Sequence, residues 1–206
     1  MNTPKEILEE QWNAYSHALG IILGLLGTLV LFLQKPTQFA SWPFAIYSFS
    51  VILLFTASTL YHSFYQPAIK EKLRILDHIS IYYLIAGTYT PVCWFLLKDS
   101  KGVLLLILVW SIALIGTGLK LFYTGKFEVL SLALYGVMGW LIVIDLPFLL
   151  KTFSESQLFY LTLGGVFYTL GMVFYAVKKI PFNHLIWHFF VLVGAISHWF
   201  LVFKLV

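Results

Sequence analysis

The sequence predicts an all-α integral membrane protein: a bundle of seven transmembrane helices, N-terminus cytoplasmic and C-terminus outside. Three observations carry this. First, 60% of the 206 residues are hydrophobic and only 11% are charged, where a soluble domain carries about 25% charged residues. One core of this length cannot hide so much apolar surface, so lipid must be the solvent. Second, the apolar residues fall into seven runs, about 16–34, 43–64, 76–97, 102–123, 128–149, 157–177 and 184–205. Each is near the ~20 residues that cross ~30 Å of hydrocarbon. Third, Tyr and Trp are abundant, at 12 and 7, and both favour the membrane interface.

The gaps between runs carry the punctuation: Gln34-Lys35-Pro36, Gln66-Pro67, Lys98 to Gly102, Thr124-Gly125-Lys126, Ser154-Glu155-Ser156 and Lys178 to Pro181. None is long enough for a soluble domain. The expectation is one domain over residues 1–206, with a short polar N-terminal segment over about 1–15. That segment is acidic and does not resemble a cleaved signal, so the first run is expected to be a retained helix.

Lys and Arg in the gaps set the orientation. With the N-terminus inside, the inner segments hold Lys5, Lys70, Lys72, Arg74, Lys120, Lys126, Lys178 and Lys179, and the outer ones Lys35, Lys98, Lys101, Lys151 and Lys204. Eight against five favours that orientation. The net charge of +4 is scattered, with no basic stripe, which argues against nucleic acid as a partner. Cys93 is the one cysteine, so neither an intrachain disulfide nor a cysteine metal site is available.

Ionisable residues inside membrane helices need a reason. Ser58 to His62 ends the second run, Leu76-Asp77-His78 opens the third, and Asn183 to His188 opens the seventh. His184 and His188 are four residues apart, as are Ser58 and His62, so each pair shares a helix face. Two such faces can meet in a bundle core. In the N-in topology all three groups lie at one depth, near the cytoplasmic interface. Taken alone, the histidine pair reads more readily as an interfacial polar patch, and Asp77 as a helix cap or dipole partner. Their common depth favours a metal site. Three neutral imidazoles suit Zn²⁺ with a fourth position left for water. Asp77 is then either a fourth ligand or the group that handles that water, and Ser58 a hydrogen-bonding neighbour.

In this order, Ser58-x-x-x-His62, Asp77 and His184-x-x-x-His188 resemble the PAQR/hemolysin III family, which contains the adiponectin receptors and belongs with the alkaline ceramidases in a wider group of membrane hydrolases. Asn13 to His17 is similar to the Asn/Thr-His segment of bacterial hemolysin III proteins, and the similarity runs from about residue 10 to the end. The resemblance implies a seven-helix bundle with an intracellular N-terminus, in a cell membrane, the expectation being a bacterial plasma membrane. It implies zinc on His62, His184 and His188, with Asp77 and Ser58 beside it. The receptors' long N-terminal extension has no counterpart in this sequence, so no protein-hormone partner is expected; membrane lipids are.

The remaining polar residues have plainer expectations. His17 is expected at the interface, with a place beside the site as the alternative. His78 points about 100° from Asp77 on a helix and is read as packing or interface. His198 lies about 21 Å beyond His184 along a helix, too far to share its ion, and is expected to line an internal polar cavity. Asp145, just before Pro147, reads as an outer-interface carboxylate. Gly116-Thr117-Gly118 and Gly164-Gly165 are expected to let helices approach closely.

Three functions compete. One is a zinc-dependent hydrolase of lipid amides or esters, involved in membrane lipid homeostasis. The second is a lipid sensor in which zinc is a structural clamp between the second and seventh helices. The third is a pore, favoured least because polar residues gather at one end rather than ringing the bilayer.

Overall fold

A computed structural model of the chain describes residues 3–206. The elements are α1 (Pro4–Gln34), α2 (Trp42–Ser63), α3 (Pro67–Leu96), α4 (Gly102–Tyr123), α5 (Glu128–Trp140), a 3₁₀ segment (Leu141–Asp145), α6 (Leu146–Thr152), α7 (Glu155–Ala176) and α8 (Asn183–Phe203). Among the described residues there is no strand. From α5 through α6 the chain forms one span, Glu128–Thr152, so among the described residues seven helices are long and apolar enough to cross a membrane. Their outward faces are apolar: Leu33, Phe122 and Val129 are 73, 79 and 83% exposed, a pattern suited to lipid and not to water.

Sequence neighbours pack side by side from α1 to α4, α7 packs along α8, and α1 meets α8 to close the bundle. The most buried span is α3. One apolar cluster joins α3, α4 and α5 around Tyr82, Val109 and Met138. A second joins α1, α2 and α8 around Leu31, Phe55 and Val191. The predicted close approaches occur at Gly116, under the Tyr82 ring, and at Gly164, under the His198 ring, but not at Gly118, which faces open space.

Two helices start well before the apolar runs. Helix α1 begins at Pro4, not near residue 16. Thr3 Oγ1 accepts from the Glu6 N–H, Glu6 reaches back to the Thr3 N–H, and Pro4 fills the first turn. This capping box nucleates a polar first turn that hydropathy alone does not reveal. The polar segment expected over 1–15 is therefore helical from Pro4 onward. Helix α3 begins at Pro67 instead of 76, because proline fits the first turn and forces Gln66 into extended backbone (ψ 118°). Asp77 consequently lies ten residues inside α3 and does not open it; the cap position belongs to Gln66.

The fifth span breaks where its proline requires. Pro147 lacks an N–H, and its ring crowds the carbonyl four residues back, so Leu141–Asp145 tightens to 3₁₀. Tyr89 on α3 covers the break. Its hydroxyl faces the Met138 and Gly139 carbonyls at 2.8 and 3.1 Å and accepts from the Ile142 N–H at 2.9 Å. In hydrocarbon such freed backbone groups persist only with a partner of this kind.

Candidate metal centre

Three helix ends converge at one end of the bundle. The last turn of α2 carries His62, and α2 stops there because Phe64 turns extended ahead of Pro67. The first turns of α8 carry His184 and His188. That helix is set against α7 by Asn183, whose Nδ2 donates to the Phe174 and Tyr175 carbonyls at 3.2 and 3.3 Å, near the C-terminal end of α7. Phe182, just before it, takes a left-handed conformation (φ 56°), uncommon for a bulky residue and found where the surroundings enforce it.

The convergence brings one nitrogen of each of His62, His184 and His188 within 4.8 Å of the others. Their rings sit edge-on, with centroids 4.7 to 5.0 Å apart. His62 and His188 are buried and His184 is partly buried. His62 Nε2 is buried with no hydrogen-bond partner. An orphaned imidazole nitrogen beside two other imidazoles fits a cation bound through nitrogen, and three neutral imidazoles suit zinc or another first-row divalent ion.

A cavity of about 290 Å³ runs from this cluster along the bundle. Ser58, Asp77, His184 and His188 line one end of it, and its remaining wall is mainly apolar side chains of α3, α5 to α6, α7 and α8. Ser58 and Asp77 are both buried, at 1 and 8% exposed. Trp140, Leu146 and Leu150 of the fifth span also line it and are themselves exposed. His198 lines it as expected, with Nε2 at 3.3 Å from the Leu161 carbonyl, but the surroundings there are apolar.

His17 departs from expectation. It is 3% exposed, lines the cavity, and stacks on His188 with centroids 3.6 Å apart. Because α1 starts at Pro4, His17 is well inside the helix, and Gly20 draws α1 so close to α2 that a Cβ there would strike the Phe55 ring. His78 is buried, with Nδ1 4.0 Å from Glu128, which also pairs with Arg74 and the buried Lys120 at 3.3 and 3.1 Å. Asp145 sits against the α3–α4 turn and is buried: it is 3% exposed and accepts from Ser100 Oγ and the Lys101 N–H at 2.8 and 3.1 Å.

Sequence reading missed Glu10, whose Oε2 is 3.0 Å from His62 Nδ1. It also missed the Asn13 carbonyl and Ser16 Oγ, at 3.1 and 3.2 Å from His188 Nδ1. The available signal was the spacing of Glu10, Asn13 and His17, one helix face, obscured by reading residues 1–15 as a polar tail.

Fold and site together define a polytopic membrane protein with a buried three-histidine cluster at one end of an apolar cavity. The chain belongs to the haemolysin-III related family, whose model matches residues 5–199. It is 42% identical over 199 residues to the hemolysin-3 homolog of Bacillus subtilis (strain 168), covering 95% of this chain and 93% of that protein. Hemolysin-3 of Bacillus cereus is 37% identical, with 95 and 91% covered. The human monocyte to macrophage differentiation factor is 29% identical over 205 residues, with 95 and 84% covered. The resemblance carried by the histidine, aspartate and serine motifs is thus borne out at the level of family.

Proposed function

We propose that the protein is a zinc-dependent hydrolase of lipid amides or esters that acts in membrane lipid homeostasis, with His62, His184 and His188 as the zinc ligands. One observation carries the reading: two of the three clustered imidazoles, His184 and His188, line an apolar cavity whose wall also includes Asp77 and Ser58. An apolar cavity suits an acyl chain, and the polar end suits the carbonyl that joins it to its head group. When bound, Zn²⁺ polarises a carbonyl and makes water acidic near neutral pH.

The chain's own residues supply the rest. Asp77 accepts a proton from the attacking water and returns it to the leaving amine or alcohol, as a carboxylate in a general acid–base role does. Ser58, one turn before His62 on the same face of α2, orients water or substrate by hydrogen bonding. The apolar walls hold the chain and keep bulk water from the reacting carbonyl. The bias of eight cationic residues against five supports placing this end at the cytoplasmic face.

The test is metal analysis of detergent-purified protein, followed by fatty-acid release from ceramide and from lipid esters. Near-stoichiometric zinc and release abolished in Asp77→Ala support the hydrolase. Zinc bound without release, and with Asp77→Ala indistinguishable from wild type, would favour a structural clamp joining α2 to α8. A protein that binds no zinc after supplementation sinks both.

A further inference from the structure

The metal ligands come from α2 and α8, yet a third helix touches two of them. Glu10 on α1 places one carboxylate oxygen, Oε2, 3.0 Å from His62 Nδ1 and 2.7 Å from Lys70 Nζ. Lys70 also donates to the Tyr61 carbonyl at 3.2 Å, in the last turn of α2. A carboxylate bonded to a lysine ammonium is ionised and has no proton to donate. The hydrogen in the Glu10–His62 contact therefore sits on Nδ1 of His62. In the neutral ring that leaves the lone pair on Nε2, the atom that is buried without a partner.

The same logic applies to His188. Its Nδ1 lies 3.1 Å from the Asn13 carbonyl, which only accepts. Ser16 Oγ gives its own proton to that carbonyl at 2.8 Å and stands 3.2 Å from Nδ1 as a second acceptor. So α1 contributes no member of the three-histidine cluster but sets the tautomer of two of them. Both are left with Nε2 free to bind.

We infer that Glu10, held in place by Lys70, is a positioning residue of the metal centre: it locks His62 as an Nε2 ligand and strengthens that nitrogen as a donor. The inference rests on the metal reading above. Partners of this kind orient a ligating imidazole and raise its basicity, and their loss costs about 10–100-fold in metal affinity. The competing account is an ion pair that merely ties α1 to α2 and α3.

The experiment uses the full chain in detergent, loaded with zinc and titrated with a competing chelator, alongside the melting midpoint of the metal-stripped protein. Glu10→Ala weakens zinc by about 10–100-fold, and Glu10→Gln recovers most of the loss because an amide oxygen still accepts from Nδ1–H. If Glu10→Ala does not fold, Glu10→Asp serves, since it keeps the charge beside Lys70 but retracts the oxygen from His62; its zinc affinity falls as well. Wild-type zinc affinity in every variant that folds, with only the metal-free midpoint lowered, overturns the proposal and leaves the ion-pair account. Failure of the wild-type protein to bind zinc overturns the metal reading itself, a separate result.

Discussion

The two ends of the bundle differ in how their most buried polar groups are partnered. At the end away from the histidines, both Asp145 oxygens have donors, and Lys101 Nζ donates to the Ile144 carbonyl at 2.7 Å. These bonds pin the α3–α4 turn to the break in the fifth span. At the histidine end, buried nitrogens and oxygens go without partners. Nine side-chain atoms are buried and unpartnered among the described residues, and five of them are here: Asn13 Oδ1, both His17 nitrogens, His62 Nε2 and His78 Nδ1. An unpaired buried polar group costs about 1–3 kcal/mol. The other four, Ser48 Oγ, the Tyr82 and Tyr168 hydroxyls and Trp199 Nε1, are scattered, so the unpaired groups gather at the histidine end, where they leave room for a ligand.

The largest test of that contrast is His188→Ala set beside Asp145→Asn. Bound zinc is expected to fall from about one per chain to near none in His188→Ala, because the site loses a ligand from a set of three. Asp145→Asn should leave zinc content unchanged. Metal content by mass spectrometry of purified protein reads both, and equal zinc loss in the two would mean that the ends are not distinct.

Next in size is Asp77→Asn. The substitution keeps size and hydrogen bonding but removes the base. Fatty-acid release should fall about 10²–10⁴-fold, the usual contribution of a positioned acid–base group, with zinc retained. Release unaltered while zinc stays bound would assign Asp77 to structure and move the histidine end toward the clamp reading.

Much of this was legible in the sequence, and the misses have definite causes. Hydropathy located seven spans because each must bury its backbone in lipid. It misplaced the starts of α1 and α3, because the helix signals there are a capping box at Thr3 and a proline at Pro67, both in polar surroundings. Helix spacing grouped His184 with His188 and Ser58 with His62, and topology put them at one depth. Neither could show that His17 stacks on His188, or that Glu10 reaches His62 across 52 positions of sequence. The burial of Asp145 was illegible for a related reason: its partners, Ser100 and Lys101, lie in another loop.

A smaller effect separates the ends by stability. Asp145→Ala leaves the Ser100 hydroxyl and the Lys101 N–H unpaired, and should lower unfolding stability by about 1–3 kcal/mol without a change in chelator-measured zinc affinity. A loss of zinc affinity in this variant would show that the two ends are coupled through the fifth span.

The finest comparison uses two matched caps. Thr3 with Glu6 starts α1 at the histidine end, and Ser154 with Gln157 starts α7 at the other. Each is a capping box, so Thr3→Ala and Ser154→Ala should each cost about 1 kcal/mol of helix stability. Only α1 carries Glu10, Asn13 and Ser16 to the imidazoles. Fraying its first turn should therefore weaken zinc by no more than about fivefold, the equivalent of that 1 kcal/mol, whereas fraying α7 should leave zinc affinity at its wild-type value. Equal weakening from the two caps would mean that zinc binding follows overall stability and not the placement of α1.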